Sequence, residues 1–486
     1  MRHIGTPLAL LLALPLGACN GDDASTGTDT ASATGTTTTS ATTTATTAAT
    51  MGGTATESSS TGSGSDSNTS GSSSSSTTDG TATATSGTTG TSGTSTTSDT
   101  TTTTGGVSST GDTTTGGDCG GGGIVDYSFI WISNSPENTV SKINTMTLVE
   151  EARYNTGPNG DPSRTSVNLK GAVAVVNRGG GVTKIAAVED ECVDKNNDGM
   201  IFTSKGANDV KPWGQDECAL WNTPLPAASR PAAWTSGEKQ DPNDPCSPLI
   251  NEHLWVSAPQ GSDAFVYLLN GETGAIIKQV LVPGANGGLG IYGGGVDANN
   301  DFWGVTYSQG PLVHVRYADF TFETIPLPGF SGGAYGFTVD SKGRSWVGGW
   351  DNSLIRYDPM TKEWVQTTGI PGQYNGLSRG MNEDENGDLW AAFLGFGGPQ
   401  GILRVDTDTA TFVEMIDDAK LSGVSTPTGA SVDIMGKIWM VDQSKDGGGA
   451  FVYNPADMSV KWVGGLNGPY TYSDMTGYAL KNVLPQ

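Results

Sequence analysis

The chain has 486 residues, of which 71 are glycine and only 15% are charged. A helical bundle needs far more Glu, Lys, Ala and Leu and far less glycine, so this composition excludes one and favours a large β or α/β architecture. Acidic residues outnumber basic residues 50 to 25, which gives a net charge of -25. This charge repels phosphate backbones and anionic lipid surfaces, so we expect no nucleic-acid partner.

Residues 1–19 have the pattern of an export signal, with Arg2 as the positive start and an apolar stretch from Leu8 to Leu16. The segment ends in Leu16-Gly17-Ala18-Cys19, which resembles a bacterial lipobox. The resemblance implies that Cys19 is acylated, becomes the mature N-terminus and anchors the chain in a membrane. An ordinary signal peptide that ends in cysteine is the alternative. We expect a lipid-anchored protein of the bacterial cell envelope, at the outer membrane or cell surface.

Residues 20–118 consist almost entirely of Thr, Ser, Gly and Ala, and Met51 and Val107 are the only larger apolar residues among them. Such a stretch buries too little surface to offset its ordering entropy, which predicts a disordered stalk. A flexible chain of this length has a root-mean-square reach of roughly 55 Å. We expect it to hold a globular head, residues 119–486, away from the membrane.

An internal repeat dominates the head. Trp303, Trp346, Trp390 and Trp439 follow one another at intervals of 43, 44 and 49 residues. Six residues before each tryptophan stands an aspartate and ten before it a glycine: Asp297, Asp340, Asp384 and Asp433, with Gly293, Gly336, Gly380 and Gly429. Each unit has four strand-like segments separated by Gly/Asn/Asp turns. Four strands in about 44 residues are typical of a propeller blade.

Weaker copies of the repeat extend towards the N-terminus. Trp131, Ala174 and Trp255 take the tryptophan position, and Asn168 takes the aspartate position before Ala174. The count predicts an all-β fold, a seven-bladed β-propeller, with a Cys/Asp-rich insertion at about 188–224. The C-terminal segment PYTYSDMTG, with Asp474 in the aspartate position, should supply the innermost strand of the first blade. YALKN, which follows it, competes with residues 129–133 for the second-strand place.

The segments TGASVDIMGKIWMVD and YGFTVDSKGRSWVGG resemble repeats of the virginiamycin B lyase-like and NHL-type seven-bladed propellers. The resemblance covers roughly residues 124–480. In the lyase, catalysis depends on a histidine base and a bound Mg²⁺. Here His253 and His314 fall outside the first strands that would line the central channel, so no catalytic residue carries over.

The insertion contains the sequence Asp194-Lys195-Asn196-Asn197-Asp198-Gly199, which fits the calcium-loop pattern D-x-N-x-D-G. Side-chain oxygens of Asp194, Asn196 and Asp198 and the carbonyl of Met200 are the expected ligands of a structural Ca²⁺. Position 12 of such a loop is Lys205 instead of Glu. A ligand would then come from Asp190, Glu191, Asp209, Asp216 or Glu217, and a solvated turn without metal is the alternative.

Apart from Cys19, the chain has four cysteines, an even number that suggests two disulfides in an exported protein. Three pairings are open, and we favour Cys192–Cys218, which brackets the calcium loop. That choice leaves Cys119–Cys246 to hold the start of the head.

Candidate ligand-binding residues lie in the loops that enter the first strand or leave the second, because these loops share one face around the channel. Just before the repeat glycines stand Tyr292, Tyr335, Arg379 and Thr428. Tyr307 and Trp350 stand four residues after their tryptophans, and Arg164, Arg230 and Tyr472 are expected to join the set. Aromatic rings with arginines are typical of surfaces that bind a sugar, a peptide or a carboxylate. The alternative is that these side chains only fill the channel.

Our leading hypothesis is a non-catalytic binding or scaffold protein that takes a carbohydrate, peptide or small-molecule ligand. The alternative is a virginiamycin B lyase-like enzyme, or another metal-assisted lyase or hydrolase, with its site in the central channel. A cluster of ionisable acids and bases at the channel would favour the enzyme. The candidates are mainly Arg and Tyr, which favours binding.

Overall fold

The computed structural model describes residues 128–484 except positions 159, 245–246, 248, 330–332 and 351–353. The predicted export signal, lipid anchor and stalk lie outside the described residues, as does the predicted pair Cys119–Cys246. No helix in the described range has the length and apolar character needed to cross a bilayer.

Seven antiparallel sheets follow one another along the described chain and form the blades of a propeller. The first three blades contain the following strands. Blade 1 has β1 (Phe129–Asn134), β2 (Thr139–Asn144) and β3 (Val149–Asn155); blade 2 has β4 (Pro162–Val167), β5 (Val173–Asn177), β6 (Val182–Ile185) and β7 (Ala219–Thr223); blade 3 has β8 (Ala232–Trp234), β11 (His253–Gln260), β12 (Asp263–Asn270) and β13 (Ile276–Val282). A separate two-stranded hairpin, β9 (Glu238–Lys239) and β10 (Leu249–Ile250), interrupts blade 3 after its innermost strand.

The last four blades are regular, with four strands each in chain order from the channel outwards. Blade 4 has β14 (Ile291–Val296), β15 (Phe302–Thr306), β16 (Leu312–Val315) and β17 (Phe322–Ile325); blade 5 has β18 (Ala334–Val339), β19 (Ser345–Gly349), β20 (Leu354–Asp358) and β21 (Glu363–Gln366); blade 6 has β22 (Gly376–Glu383), β23 (Asp388–Gly395), β24 (Gly401–Asp406) and β25 (Thr411–Ile416); blade 7 has β26 (Pro427–Val432), β27 (Ile438–Asp442), β28 (Gly449–Asn454) and β29 (Ser459–Gly464). Single-turn 3₁₀ helices occupy Ser135–Glu137, Glu189–Glu191 and Lys445–Gly447. The predicted all-β, seven-bladed fold is confirmed.

Burial decreases from the channel outwards within a blade. All residues of the innermost strands β18 and β26 are buried, whereas the outermost strand β17 is largely exposed. Neighbouring innermost strands approach so closely that glycine is required. A Cβ on Gly336 would lie 2.1 Å from the carbonyl oxygen of Arg379 in the next blade. The repeat glycine therefore marks the closest approach of two blades.

The repeat aspartates in blades 4 to 7 accept a hydrogen bond from the indole N–H of the tryptophan six residues later. The pairs are Asp297–Trp303 at 3.0 Å and Asp340–Trp346, Asp384–Trp390 and Asp433–Trp439 at 2.9 Å. The second carboxylate oxygen accepts backbone N–H groups of the turn; in blade 6 these belong to Asn386 and Asp388, at 2.9 and 3.0 Å. One side chain thus closes the turn and fixes the ring that packs between blades. The sequence predicted the turn contacts but not the indole bond.

The weaker repeats of blades 1 to 3 form similar turn and indole hydrogen bonds, but with other partners. In blade 2 the side-chain oxygen of Asn168 accepts the turn N–H groups. Ala174 has no indole, and the side-chain NH₂ of Asn168 donates to Glu252 at 3.0 Å instead. Trp131 and Trp255 donate their indole N–H groups to backbone carbonyl oxygens of the following blade. These substitutions explain why the sequence motif weakens towards the N-terminus.

The C-terminal segment closes the ring against blade 1. Pro469 forms an antiparallel bridge with Asn134, and the N–H of Tyr470 donates to the Ser133 carbonyl at 3.0 Å. The N–H of Trp131 donates to the Met475 carbonyl at 3.0 Å. Residues 469–475 thus take the innermost place in blade 1. YALKN does not compete for a strand place, because it forms the short helix α1 (Tyr478–Asn482).

Two additions account for the extra length between Ala174 and Trp255. Residues 186–218 connect β6 to β7, and the β9–β10 hairpin lies in blade 3. The segment predicted as insertion extended to about residue 224, but residues 219–223 form β7, a regular outer strand paired with β6. The periodicity gave only the total excess, so it could not separate the two additions.

Candidate ligand site at the central channel

Four tyrosine hydroxyl groups meet at the centre of the ring. They belong to Tyr292 and Tyr335 on innermost strands and to Tyr470 and Tyr472 on the closing segment. Tyr335 and Tyr470 hydroxyls lie 2.7 Å apart, and the other four contacts within the group measure 2.9–3.2 Å. Burial raises the pKa of Tyr335 well above its ordinary value, so this phenol stays neutral at physiological pH.

Arginines surround these rings. The guanidinium of Arg164 lies 4.5 Å from the ring centre of Tyr292, and that of Arg230 lies 5.2 Å from the same ring. Arg379 lies 5.6 Å from the Tyr335 ring and donates to the Pro427 carbonyl at 3.0 Å. Burial, and then the neighbouring Arg164, lower the pKa of Arg230. Positive charge therefore accumulates at the centre of a strongly acidic chain.

The structure brings together six of the predicted ligand residues, and all six are buried: Tyr292, Tyr335, Tyr472, Arg164, Arg230 and Arg379. They fill the channel rather than forming an open surface. Thr428 is buried as well, and its hydroxyl donates to the Val441 carbonyl at 3.2 Å, within its own blade.

Tyr307 and Trp350 lie further out and are half-buried. The rings of Tyr307 and Tyr292 are 5.2 Å apart, and Trp350 meets Tyr335 edge-on at 6.2 Å. Phe396, 39% exposed, stacks on Trp350 at 5.5 Å. Together with Leu289 and Leu394, which also pack on the tyrosines, these side chains form what we call the rim.

We call the four tyrosines and the arginines around them the channel group: Tyr292, Tyr335, Tyr470, Tyr472, Arg164, Arg178, Arg230 and Arg379. The sequence analysis missed Tyr470 and Arg178, although the repeat register contains a signal for each. Tyr470 and Arg164 both stand four residues before the aspartate position, where the regular blades have glycine. Arg178 stands four residues after Ala174, the column that also gave Tyr307 and Trp350. Its guanidinium lies 5.0 Å from the Tyr470 ring and forms an ion pair with Asp161.

The opposite end of the channel is covered by α1. The side-chain amide of Asn482 donates to the Glu383 carbonyl at 3.0 Å, and Leu480 is buried. Asp474 accepts the backbone N–H of Gly477 at 2.9 Å, and burial raises its pKa to about 6. A cavity of about 30 Å³ beside these residues holds no more than one or two waters. The rim is therefore the side from which a ligand would approach.

His314 lies away from the channel, on the third strand of blade 4. Its Nε2 is 2.9 Å from Asp301 Oδ2, its Nδ1 is 3.0 Å from Glu323 Oε1, and its ring stacks on Trp303 at 3.9 Å. Burial disfavours the charged ring, but the hydrogen bonds to the two carboxylates outweigh it and raise the pKa of His314. We call Asp301, His314 and Glu323 the histidine clasp.

Asp297, Asp301 and His314 offer ligand atoms within 4.8 Å of one another, close enough to hold a metal ion. The atoms concerned are already bonded within the blade. Asp297 Oδ2 accepts the Trp303 indole, and Asp301 accepts from His314 and from the backbone N–H of Tyr317 at 2.8 Å. The group fits a hydrogen-bonded structural element better than a metal centre.

His253, the other described histidine, opens β11 in blade 3. Its Nδ1 lies 2.6 Å from the Tyr317 hydroxyl, and burial lowers its pKa. Neither His253 nor His314 lies among the tyrosines and arginines of the channel.

The predicted calcium loop is an exposed chain of side-chain-to-backbone hydrogen bonds. Asp194 accepts from the N–H of Gly199 at 2.9 Å, Asn196 from that of Asp198 at 2.8 Å, and Asp198 from that of Met200 at 2.9 Å. The bond from Gly199 is the main reason that the pKa of Asp194 is lowered. The loop therefore presents charged oxygen atoms in a tight turn.

Two of the acidic residues considered as substitute ligands, Asp216 and Glu217, accept hydrogen bonds within the insertion. Asp216 is buried and accepts from the backbone N–H of Ser204 at 3.0 Å. Glu217 accepts from the backbone N–H groups of Lys195 and Phe202 at 2.8 and 2.7 Å. These two carboxylates hold the insertion together from within.

The predicted disulfide Cys192–Cys218 is confirmed, with Cα atoms 4.4 Å apart. It links the two ends of the insertion and so encloses the loop at 194–199.

No protein-family model matches the chain, and no curated protein matches it. Solved structures resemble it at low identity. A streptogramin B lyase is 16% identical, with a TM-score of 0.45 over 65% of this chain and 87% of that one. Virginiamycin B lyase from Staphylococcus aureus is 13% identical, with a TM-score of 0.43 over 65% and 89%. A functionally unknown protein from Desulfotomaculum acetoxidans DSM 771 is 12% identical, with a TM-score of 0.47 over 71% and 100%. Identities this low carry no information about activity.

Proposed function

We propose that this protein is an exported, lipid-anchored propeller that binds a ligand at the channel rim and performs no chemistry of its own. The observation that carries the proposal is the pairing of a half-exposed aromatic rim with a buried group of arginines directly beneath it. Aromatic faces bind apolar or sugar surfaces, and arginines bind anionic groups. Carbohydrates, peptides and small molecules are the ligand classes that suit such a rim.

The enzymatic alternative finds less support. General acid–base chemistry needs a titratable group with a pKa near neutrality at the site. The titratable groups of the described channel group are tyrosines and arginines. Burial raises the pKa of Tyr335 further above neutral pH. Asp474, with its pKa near 6, lies at the covered end and is bonded to backbone N–H groups.

The binding proposal is tested with a glycan and peptide array, probed with the full-length chain in detergent. A retained ligand should bind about tenfold more weakly to Trp350→Ala, because a stacking contact and its buried area contribute on the order of 1.4 kcal/mol. Trp462→Ala on the outermost strand of blade 7 is the matched control and should leave affinity unchanged. Failure to retain any ligand, or equal effects of both substitutions, would contradict binding at the rim.

The membrane location follows from Cys19 and a net charge that disfavours direct lipid binding. Several acyl chains, at roughly 0.8 kcal/mol per buried CH₂, hold a protein firmly on a bilayer. Cys19→Ser should therefore move the protein to the soluble fraction. Unchanged sedimentation with membranes would rule the anchor out.

We also propose a structural Ca²⁺ at residues 194–200, held by Asp194, Asn196 and Asp198 with the Met200 carbonyl. The tight turn, the lowered pKa of Asp194 and the enclosing disulfide support it. Calcium should raise the melting temperature of the chelator-treated protein. Asp198→Ala should abolish that increase, and Glu189→Ala, in the same insertion but outside the candidate ligand set, should preserve it. A melting temperature that does not respond to calcium would refute the site.

A further inference from the structure

Arg164 is enclosed at the centre of the ring, on the innermost strand of blade 2. Its Nε donates to the Tyr292 carbonyl at 3.2 Å and its Nη1 to the Ser163 carbonyl at 2.8 Å. The faces of the guanidinium are covered by the rings of Tyr292 and Tyr472, at 4.5 and 4.3 Å. Among the described residues Nη2 has no hydrogen-bond acceptor. One edge of a fully buried cation is therefore available to a ligand.

No described carboxylate neutralises this charge. The largest charge interactions of Arg164 are with the four tyrosines, and Tyr335 at least is held neutral by burial. The other nearby cation, Arg230, faces the same Tyr292 ring. By contrast Arg178, nearer the surface, is paired with Asp161. A buried guanidinium without a counter-charge destabilises the fold, so an anion that reaches it binds strongly.

A path to Arg164 leads through the rim. Tyr307 is half-buried, and its ring lies against the Tyr292 ring at 5.2 Å, so it separates solvent from the ring that covers Arg164. Access to Arg164 therefore requires a movement of the Tyr307 ring. A ligand whose anionic group passes Tyr307 leaves its remaining atoms against Trp350 and Phe396, which stack at the edge of the channel.

We infer that the ligand of the rim carries a carboxylate, which binds Arg164 Nη2, and an apolar or aromatic group, which packs on Tyr307, Trp350 and Phe396. The inference rests on the proposed function and specifies its ligand. A carboxylate fits this site better than a bulkier phosphate because the buried tyrosines and arginines around Arg164 leave little room. The carboxylate belongs either to a free small acid or to the C-terminus of a peptide, and both present the same group to Arg164.

The test is calorimetric titration of the full-length chain in detergent with four probes. These are 3-phenylpropionate and N-acetylphenylalanine, each compared with its uncharged primary amide. We expect both acids to bind and both amides to bind about ten- to a hundredfold more weakly, the range of a charge-assisted hydrogen bond. Binding of N-acetylphenylalanine alone would identify a peptide C-terminus as the source, and binding of phenylpropionate alone a free acid.

Arg164→Met should weaken binding of the acids to the level of the amides, and Arg164→Lys should recover part of it. Arg356→Met is the control, because Arg356 is also buried but lies in blade 5, 5.8 Å from the Trp346 ring. If Arg164→Met does not fold, the acid–amide comparison on the unaltered chain decides. Equal binding of acid and amide, no binding of any probe, or unchanged affinity of Arg164→Met overturns the inference. In the first and third cases a loss of binding in Trp350→Ala would leave the rim proposal standing.

Discussion

Blades 4 and 6 solve the same packing problem with different cations. In both blades a basic side chain on the third strand bonds two carboxylates. One carboxylate stands four residues after the repeat aspartate, and the other lies on the outermost strand. Blade 4 uses His314, and blade 6 uses Arg404, which bonds Asp388 at 2.6 Å and Glu414 at 3.1 Å. The strand register agrees as well, because each cation lies opposite the blade's tryptophan and opposite the outer glutamate.

The two blades differ in how the charge of the basic side chain depends on pH. Arginine keeps its charge throughout the accessible pH range, whereas histidine loses its charge near neutrality. His314 occupies the place of a permanent cation, which explains both its flanking carboxylates and its stacking on Trp303. The comparison teaches that the buried histidine between two acids in blade 4 takes the structural position that Arg404 has in blade 6.

We expect the largest loss of stability from substitution of the repeat aspartate, which the two blades share. Asp384→Ala removes the acceptor of the Trp390 indole and of two turn N–H groups, and each unsatisfied buried donor costs about 1–3 kcal/mol. We expect a loss of roughly 3 kcal/mol or more in the free energy of unfolding by denaturant, and a similar loss for Asp297→Ala. Asp406→Ala, at the outer turn of blade 6, should cost less than about 1 kcal/mol. Equal losses at Asp384 and Asp406 would deny the repeat aspartate its structural role.

The second prediction separates the blades by pH. The pKa of His314 is raised above 6.5 in the folded protein, so its contribution to stability is complete below pH 6.5 and is lost as the pH rises through the folded value. The charged groups that face this ring are Asp297, Asp301 and Glu323, with Arg316 at the edge of the same recess. His314→Arg should abolish that alkaline loss.

Unfolding free energies of the two proteins, measured by denaturant from pH 6 to pH 9, check this prediction. The difference between them should grow with pH by on the order of 1.5–3 kcal/mol, the contribution of one charge-assisted hydrogen bond. Parallel pH profiles would show that the histidine clasp does not titrate in this range.

The smallest effect is the reverse exchange. Arg404→His should give blade 6 the pH-dependent loss that blade 4 has. The Arg404 side chain is 30% exposed and that of His314 only 10%, so solvent screens the blade 6 carboxylates more and the loss should be smaller. A pH-dependent loss larger than that of the unaltered chain's blade 4 would mean that exposure does not govern the strength of these contacts.

The repeat explains how much of the fold could be predicted. Aspartate, glycine and tryptophan recur because one carboxylate, one close approach and one indole are needed in each blade, so the blade number follows from spacing alone. The helix at YALKN could not be predicted, because a five-residue segment takes its structure from the surface that it covers. The β9–β10 hairpin was missed for a similar reason, since each of its strands has only two residues.

For the channel group, the repeat register predicted which residues lie together but not that they are buried. It placed Tyr292, Tyr335 and Arg164 together. Tyr470 stands at the same repeat position as Arg164, and Arg178 stands at the same position as Tyr307 and Trp350. Burial could not be predicted, because it depends on how far side chains from six other blades extend into a space that no single repeat defines. The histidine clasp was also missed, since it joins residues from a turn and two strands whose pairing the repeat motif does not encode.

Closure through residues 469–475 gives the end of the chain a decisive place in biosynthesis. Blade 1 is synthesised first, and its β1 edge stays unpaired until residues 469–475 have been added. A chain that lacked residues 469–475 would leave open sheet edges in the ring, which proteases and chaperones recognise. Closure of the fold therefore waits for this late segment.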